Sequence, residues 1–250
     1  MKNFNDKFAL ITGGTKGMGF ATAQKFIHYG GKVIITGRSE EGVKTALEQL
    51  GSNASGIVSD AATIQDIMNL RNKVEKLTGN IHLVFANAGY GKFAPIENVD
   101  ERHFDELFNM LVKGSFFTVQ QMLPLMRKGS SVVFNTSFVT EVGMPNFSVY
   151  SAAKSAVQSF IKTFATELSA KGIRVNGISP GHIKTNIFEN TGLDPEHINE
   201  AVKNIIASIP FKRQGTPEEI ADAVLFLASE EASYIHGAEL RIDAGVSVIR

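Results

Sequence analysis

The sequence predicts a single α/β domain built on a parallel sheet, and three observations support this. Short apolar runs of the buried-strand type alternate with segments of helical periodicity, at a spacing typical of right-handed crossovers. Several of these runs end in glycine or small polar residues, at the strand ends where ligands bind in such sheets. No linker, repeat or low-complexity tract interrupts the chain, so one domain over residues 1–250 accounts for it.

The first strand and helix flank a glycine-rich turn. Residues 8–11 form an apolar run, residues 12–19 read Thr-Gly-Gly-Thr-Lys-Gly-Met-Gly, and helical spacing then continues to Gly30. Glycines let the main chain approach a pyrophosphate, and the N-terminus of the following helix offers free N–H groups. The spacing is GxxxGxG rather than the usual GxGxxG of dinucleotide sites, and a glycine turn without a ligand is the alternative. The candidate cofactor contacts in this turn are Gly13, Thr15, Lys16, Gly17, Met18 and Gly19.

The tip of the second strand, residues 32–36, indicates which cofactor is bound. An acidic residue at this position holds the ribose 2′-hydroxyl of NAD, whereas an arginine suits the 2′-phosphate of NADP. Here Gly37 leaves room, Arg38 supplies a permanent positive charge and Lys16 is a second cation nearby. These residues predict NADP(H), with two solvated surface cations as the alternative.

Two more strand ends extend the predicted cofactor site. The strand at 55–58 leads to Asp60, whose carboxylate could accept a hydrogen bond from the adenine amino group. A cap for the following helix is the alternative role of Asp60. The strand at 81–85 leads to small residues that would let a nucleotide lie against the main chain. The candidate contacts at these two ends are Asp60, Ala61, Asn87, Ala88 and Gly89.

Apolar spacing predicts the remaining elements. They are a long helix at 101–127, a strand at 131–134, a helix at 150–171, and strands at 174–178 and 238–242. Thr216 and Pro217 open a further helix by capping-box logic. Residues 186–210 are the least regular part of the chain.

A tyrosine and a lysine four residues apart supply the candidate chemistry. Tyr150 and Lys154 share one helix face, about 6 Å apart along its axis, so the ammonium could stabilise the phenolate and lower the pKa of Tyr150. Such a phenol passes a proton to or from a carbonyl or alcohol oxygen near neutral pH. Ser137, which ends a nearby strand, could hold that oxygen by a hydrogen bond. Taken alone, the YxxxK spacing also fits a half-buried tyrosine beside a surface lysine.

Together these motifs resemble the short-chain dehydrogenase/reductase family, in the subgroup of this chain's length. The matching motifs span nearly the whole sequence: Thr12-Gly-x-x-x-Gly-x-Gly19, Asn87-Ala-Gly89, Ser137, Tyr150-x-x-x-Lys154 and Pro180-Gly181. The resemblance implies a Rossmann-like, doubly wound parallel sheet of about seven strands with helices on both faces. It also implies a nicotinamide cofactor, whose ribose Lys154 would hold beside Tyr150, and hydride transfer at a carbonyl or alcohol carbon.

The chain departs from the family in one place. The family carries an Asn in an Asn-x-Lys-Gly setting, where it anchors a water of the proton relay. Leu111 stands at that position, before Val112-Lys113-Gly114, and Asn109 lies on another face of the helix. Because leucine cannot hold a water, another group holds it, the relay takes a shorter route, or turnover is low.

The second half of the chain also supplies candidate nicotinamide and substrate contacts. In the resembling enzymes, the turn after residue 179 lies near the nicotinamide carboxamide, and a segment corresponding to 186–210 forms a substrate lid. The expected contacts in the turn are Pro180, Gly181, Ile183 and Thr185. The expected apolar substrate pocket consists of Tyr90, Phe93, Phe138, Met144 and Phe188, with core or oligomer contacts as the alternative.

Composition excludes several other functions. Lys+Arg and Asp+Glu balance at 25 each, so no excess charge indicates nucleic acid or an anionic membrane. The sequence has no cysteine, which excludes thiol nucleophiles and thiolate metal sites, and the six histidines lack metal-ligand spacing. No signal peptide and no run of about 18 apolar residues is found. We therefore expect a cytoplasmic protein without a metal, a membrane or a nucleic-acid partner.

The sequence as a whole favours an NADP(H)-dependent carbonyl reductase, with Tyr150 as general acid, Ser137 polarising the substrate oxygen and Lys154 assisting. An NAD-dependent alcohol dehydrogenase of the same fold is one alternative. A nucleotide-binding relative with low turnover is another, which Leu111 favours. A small-residue face on the helix at 150–171, together with the habit of the family, indicates a homotetramer or dimer.

Overall fold

A parallel sheet of seven strands organises the computed structural model, which describes residues 3–184 and 195–249. The strands lie in the order β3-β2-β1-β4-β5-β6-β7, and every neighbouring pair is parallel. They are β1 (Phe8–Ile11), β2 (Lys32–Gly37), β3 (Ala54–Val58), β4 (Ile81–Ala86), β5 (Met126–Asn135), β6 (Arg174–Pro180) and β7 (Glu239–Ile242). The predicted doubly wound sheet is therefore confirmed.

Helices cover both faces of this sheet. The helices are α1 (Gly17–His28), α2 (Glu40–Leu50), α3 (Ile64–Glu75), α4 (Glu101–Leu107), α5 (Gly114–Met122), α6 (Ser148–Leu168), α7 (Pro195–Ser208) and α8 (Pro217–Ala228). Apolar residues of α3, α5 and α6 form the core on one face, and those of α1, α2 and α8 form the core on the other. Leu10 of β1 points to the first layer and Ile11 to the second, which is why the strand is apolar without alternation.

The strand order reverses between β1 and β4. From β1 the chain proceeds outward to β2 and β3, then returns to β4 on the other side and continues to β7. At such a switch point the loops leaving two neighbouring strands turn in opposite directions and open a crevice at their carboxyl ends. The glycine turn follows β1 and Asn87 follows β4, so both line this crevice.

The predicted long helix at 101–127 is wrong in its details. The segment divides into α4, a six-residue π-helical stretch (Phe108–Lys113) and α5, and β5 already begins at Met126. Pro124 lies in a short 3-10 turn that ends α5, because proline cannot continue the hydrogen-bond ladder. Gly114 follows the π-helical stretch where the main chain passes close to Ala61, so that a Cβ at Gly114 would overlap the Ala61 carbonyl oxygen.

Of the segment at 186–210, predicted to be a substrate lid, residues 186–194 lie outside the described residues, and the described part is more regular than expected. Residues 195–208 form the helix α7, which begins at Pro195, a residue suited to the first helical position. Val202, Ile205 and Ile206 supply the apolar spacing of a helix. The capping box of α8 is confirmed, since the Thr216 side chain accepts from the Glu219 main chain and the Glu219 carboxylate accepts from Thr216 N–H. Across the described helices, no stretch is both long and apolar enough to cross a bilayer.

Candidate active site

The three predicted catalytic side chains come together at the carboxyl edge of the sheet. Ser137 lies just beyond β5, and Tyr150 and Lys154 lie in the first two turns of α6. The hydroxyl of Ser137 hydrogen-bonds to Tyr150, and the Lys154 ammonium lies 5.8 Å from the centroid of the tyrosine ring. Lys154 and Ser137 are buried, at 5% and 7% exposure. The Lys154 Nζ donates to the main-chain oxygen of Asn135 at 2.7 Å.

The predicted lowering of the Tyr150 pKa is wrong for this arrangement. Burial raises the pKa of Tyr150 to about 12, and the hydrogen bond with Ser137 opposes that rise only in part. Burial also lowers the pKa of Lys154 to about 8. The desolvation of the Tyr150 hydroxyl has a larger effect on its pKa than the attraction of Lys154 for a phenolate. The ammonium of Lys154 lies over the tyrosine ring and donates one N–H to the Asn135 main-chain oxygen. At neutral pH, Tyr150 is therefore a protonated phenol beside a charged lysine.

Aromatic side chains surround Tyr150. The ring of Phe93 meets the Tyr150 ring edge-on at 5.7 Å between centroids, and Phe147 lies at 6.2 Å. Phe93 and Phe147 stack on each other at 4.1 Å. The sequence prediction named Phe93 but missed Phe147, which no motif marks. Met144 is in the same turn, where its carbonyl oxygen accepts from Phe147 N–H at 3.3 Å.

The turn after β6 lies next to this region. Pro180 is the last residue of β6, and Gly181 N–H donates to the carbonyl of Ile242 at 2.9 Å. The imidazole of His182 lies 4.9 Å from the Phe138 ring, and burial lowers the pKa of His182. Ile183 forms a β-bridge with Gly215. Thr185 and Phe188, predicted to contact cofactor and substrate, are outside the described residues.

The glycine turn has the geometry of a phosphate-binding loop. Gly13 has φ +63°, a left-handed conformation that favours glycine, and a Cβ there would come 3.0 Å from the Cα of Ala88. A Cβ on Gly19 would overlap the main-chain oxygen of Gly13. Helix α1 begins at Gly17 with no side-chain cap and no acidic residue in its first turn. The positive end of this helix is therefore free to bind an anion.

Hydrogen bonds connect this turn to Lys154, the predicted catalytic lysine. The Asn87 amide donates to the carbonyls of Thr12 and Gly13 at 3.0 and 3.3 Å, and its oxygen accepts from the Asn135 amide at 3.0 Å. Lys154 in turn bonds the Asn135 main-chain oxygen. The amide oxygen of Asn135 is buried and has no protein partner in the described part of the chain. Asn135 thus connects Asn87 to Lys154 through contacts between residues distant in sequence, which the sequence alone does not reveal.

Arg38 and Asp60 follow β2 and β3, where the sequence predicts that the adenosine half of the cofactor binds. Arg38 is exposed just beyond β2, and its guanidinium carbon lies 5.3 Å from the centroid of the Tyr90 ring. This contact connects Tyr90, predicted for the substrate pocket, to Arg38, predicted for the cofactor site. The Asp60 carboxylate accepts from Ala62 N–H at 2.9 Å, whereas Thr63 takes the N-cap position of α3. The alternative role of Asp60 as helix cap is therefore wrong, and its contact with adenine stays a prediction.

Leu111 is packed into the interior. It lies in the π-helical stretch at 1% exposure, in a cluster with Leu107, Val149 and Ala153. A Cβ on Gly89 would come 2.5 Å from the Cδ2 atom of Leu111, so this leucine directly faces the loop after β4. Its side chain offers no polar atom to the relay. Asn109 accepts a hydrogen bond from Lys113 instead.

These observations fit a bound dinucleotide. A pyrophosphate could approach the main chain at Gly13 and Gly19, where any side chain would fill the space, and it would meet the uncapped N-terminus of α1. The exposed Arg38 beyond β2 lies where the ribose of a dinucleotide would bind. Within the described ranges, no group of three or more His, Asp or Glu side chains could hold a metal ion.

Comparisons with known proteins agree with this geometry. A family model described as enoyl-(acyl carrier protein) reductase matches residues 13–247. The levodione reductase of Leifsonia aquatica is 36% identical over 255 residues, which cover 98% of this chain and 95% of that protein. A 3α-hydroxysteroid dehydrogenase of Mediterraneibacter gnavus is 35% identical over 245 residues, covering 95% of this chain and 96% of that protein. A crystal structure of levodione reductase superimposes with a TM-score of 0.92 at 34% identity, covering 99% of this chain and 100% of that chain.

The fold, the site and these relatives define the class of protein: NAD(P)-dependent oxidoreductases, which act at a carbonyl or alcohol carbon. Members of this class bind a nicotinamide cofactor at the carboxyl edge of the sheet. This chain belongs to the short-chain dehydrogenase/reductase family, since the family match covers nearly its whole length and its relatives exceed 30% identity.

Proposed function

We propose that this protein is an NADP(H)-dependent carbonyl reductase. The observation that carries the proposal is the set of Ser137, Tyr150 and Lys154, of which Ser137 and Lys154 are buried and Tyr150 is partly buried, beside a glycine turn with Arg38 beyond β2. No acidic residue lies at the tip of β2, where an NAD-specific site would place one. A charged arginine at that position supports a cofactor with a 2′-phosphate.

Each of the three side chains has a distinct role in the proposed reaction. Tyr150, protonated at neutral pH, donates its proton to the carbonyl oxygen of the substrate. Ser137, which hydrogen-bonds to Tyr150, holds the same oxygen and stabilises the charge that develops there. The ammonium of Lys154 favours the phenolate that is left behind, and it orients the cofactor ribose. The nicotinamide, when bound, supplies the hydride.

Proton transfer at Tyr150 serves both directions, since the group that donates a proton to the carbonyl in reduction accepts it from the alcohol in oxidation. The case for a reductase therefore rests on the predicted NADP(H) site at Arg38. An NAD-dependent alcohol dehydrogenase is the second candidate. Low turnover is the third, because Leu111 offers the relay no polar atom.

The aromatic pair at Tyr150 supports an apolar substrate. Phe93 and Phe147 present stacked rings beside the phenol, and Phe138 lies nearby with His182. We propose a hydrophobic carbonyl compound, covered by a lid from residues 186–210. Apolar side chains that line a pocket raise its affinity for a hydrophobic substrate through the apolar area they bury, but they do not select one particular compound.

We also propose a homo-oligomer, a tetramer or a dimer, in the cytoplasm. A surface groove of about 300 Å³ is lined mainly by aromatic residues between α5 and α6. The apolar residues of this groove are Phe108, Val112, Phe116, Phe117 and Phe160. A mass of 27.1 kDa by light scattering would contradict an oligomer, since it is that of one chain.

Paired titrations with NADPH and NADH, followed by nicotinamide fluorescence, test the cofactor assignment. We expect NADPH to bind at least tenfold more tightly, which corresponds to about 1.4 kcal/mol. A panel of hydrophobic ketones and aldehydes with NADPH then tests the reductase assignment. Tighter binding of NADH would favour the dehydrogenase, and failure of both nucleotides to bind would remove the enzymatic interpretation.

A further inference from the structure

A cluster of charged and aromatic side chains joins the loop after β4 to helix α4. The hydroxyl of Tyr90 donates to one carboxylate oxygen of Glu106, and the Nζ of Lys92 lies 2.6 Å from the other. Tyr90, Lys92 and Glu106, here called the Glu106 cluster, lie against Arg38 through the face of the tyrosine ring. Family resemblance assigns none of these three residues to the cofactor.

The protonation states of the cluster are fixed. Hydrogen bonds from Lys92 and Tyr90 hold the pKa of Glu106 below its ordinary value, so its carboxylate is ionised at neutral pH. Burial and the neighbouring Glu106 raise the pKa of Tyr90, so it remains a phenol that donates. A ring whose hydroxyl donates to a carboxylate is richer in electrons, and a guanidinium over its face is held by cation–π attraction.

Tyr90 holds Arg38 in two ways, because the guanidinium lies over the tyrosine ring and also hydrogen-bonds to the tyrosine hydroxyl. Among the described residues, no carboxylate lies within ion-pair distance of Arg38. A guanidinium carries five N–H donors, so those that are not directed at the Tyr90 hydroxyl can bind the oxygens of a phosphate. Tyr90 thereby orders an exposed side chain that would otherwise sample many rotamers.

We propose that Tyr90 is a positioning residue for cofactor selection. It holds Arg38 beyond β2 so that the remaining N–H donors of the guanidinium can bind the 2′-phosphate of NADP(H), and Glu106 and Lys92 fix Tyr90 from α4 and the loop. The proposal rests on the proposed NADP(H) function. It also gives Lys92 a role, because that ammonium neutralises a carboxylate that would otherwise repel the phosphate.

Dissociation constants for NADPH and NADH measured on variants test the proposal. Tyr90→Leu removes the ring, and we expect NADPH to bind about 3- to 30-fold more weakly, the range of a cation–π contact, with NADH changed less than about twofold. Tyr90→Phe keeps the ring and loses the hydroxyl with its hydrogen bonds to Glu106 and Arg38, so its affinity for NADPH should lie between those of the wild type and Tyr90→Leu. Tyr234→Leu, at a fully exposed tyrosine, is the matched control and leaves both affinities unchanged.

A double-mutant cycle with Arg38→Ala separates positioning from general damage. In the Arg38→Ala background, Tyr90→Leu should have no further effect on NADPH binding, because the residue it positions is gone. An equal loss for NADPH and NADH, or a loss that persists without Arg38, would overturn the positioning role. Tyr90→Phe keeps the test valid if Tyr90→Leu lowers the melting temperature.

The same measurements distinguish failure of this proposal from failure of the NADP(H) assignment. If the wild type shows no preference for NADPH and Arg38→Ala changes nothing, the cofactor assignment fails and Tyr90 has no phosphate ligand to position. If Arg38→Ala abolishes the preference while Tyr90→Leu preserves it, the cofactor assignment stands and the Tyr90 role is refuted.

Discussion

Replacing Lys154 should make the stability of the protein respond differently to pH. The Lys154 side chain is 5% exposed, and burial lowers its pKa from 10.5 to about 8. In the unfolded chain the ammonium is solvated and keeps its ordinary pKa. Between these two values the unfolded state therefore binds more protons than the folded state, and the free energy of unfolding rises as pH rises.

The size of this effect follows from the two pKa values. One pKa unit corresponds to about 1.4 kcal/mol, so Lys154 should add roughly 1.4 kcal/mol of stability between pH 7 and 9, and roughly 2.5 kcal/mol by pH 10. Lys154→Met fills similar volume and does not titrate. The difference in unfolding free energy between wild type and Lys154→Met should therefore shift toward the wild type by these amounts.

Urea unfolding of both proteins at pH 7, 8, 9 and 10 measures this difference, and groups common to both cancel. Lys44→Met, which replaces an exposed lysine of α2, is the matched control and should follow the wild type at every pH. Parallel curves for wild type and Lys154→Met would refute the reasoning. They would mean that the ammonium of Lys154 is solvated in the folded protein.

Three further predictions concern the relay, the glycine turn and the last helix. Leu111→Asn places an amide at a position that is 1% exposed, so urea unfolding should show a loss of about 1–3 kcal/mol in stability. The pH–rate profile should also change, and an unchanged profile would mean that the proton relay does not pass this position. Gly19→Ala would overlap the Gly13 carbonyl, so nucleotide binding measured by fluorescence should weaken at least about tenfold, and wild-type affinity would exclude the turn from the cofactor site. Thr216→Ala removes one half of the α8 capping box and should cost about 1 kcal/mol in thermal unfolding, whereas no change in melting temperature would show that the cap is dispensable.

The parts of this structure that depend on local chemistry could be predicted from the sequence. The run at 8–11 is apolar on both faces because β1 lies between two helix layers. Glycine is required at 13 because the turn passes close to Ala88, and at 19 because helix α1 passes close to the main-chain oxygen of Gly13. The capping box at Thr216 is likewise local. The motif Val112-Lys113-Gly114 identifies Leu111 as the residue at the relay position of the family, and its burial at 1% exposure suits an apolar side chain.

The parts that depend on tertiary packing could not be predicted. The rise in the Tyr150 pKa comes from burial by neighbours distant in sequence, which a YxxxK spacing does not reveal. The π-helical stretch at 108–113 has no proline or glycine to mark it. The sequence predicts Tyr90 in the apolar lining of the substrate pocket, but it does not reveal the contact of Tyr90 with Arg38, because the two residues follow strands that are not adjacent in the sheet.

The most direct measurement of the proposed function is the kcat/KM of Tyr150→Phe with NADPH and a carbonyl substrate that the wild type reduces. Phenylalanine keeps the ring and removes the proton donor, so kcat/KM should fall about 10²- to 10⁴-fold, while the dissociation constant of NADPH stays within about twofold. A kcat/KM within a few fold of the wild type would contradict the role of Tyr150 as general acid and with it the proposed reductase mechanism.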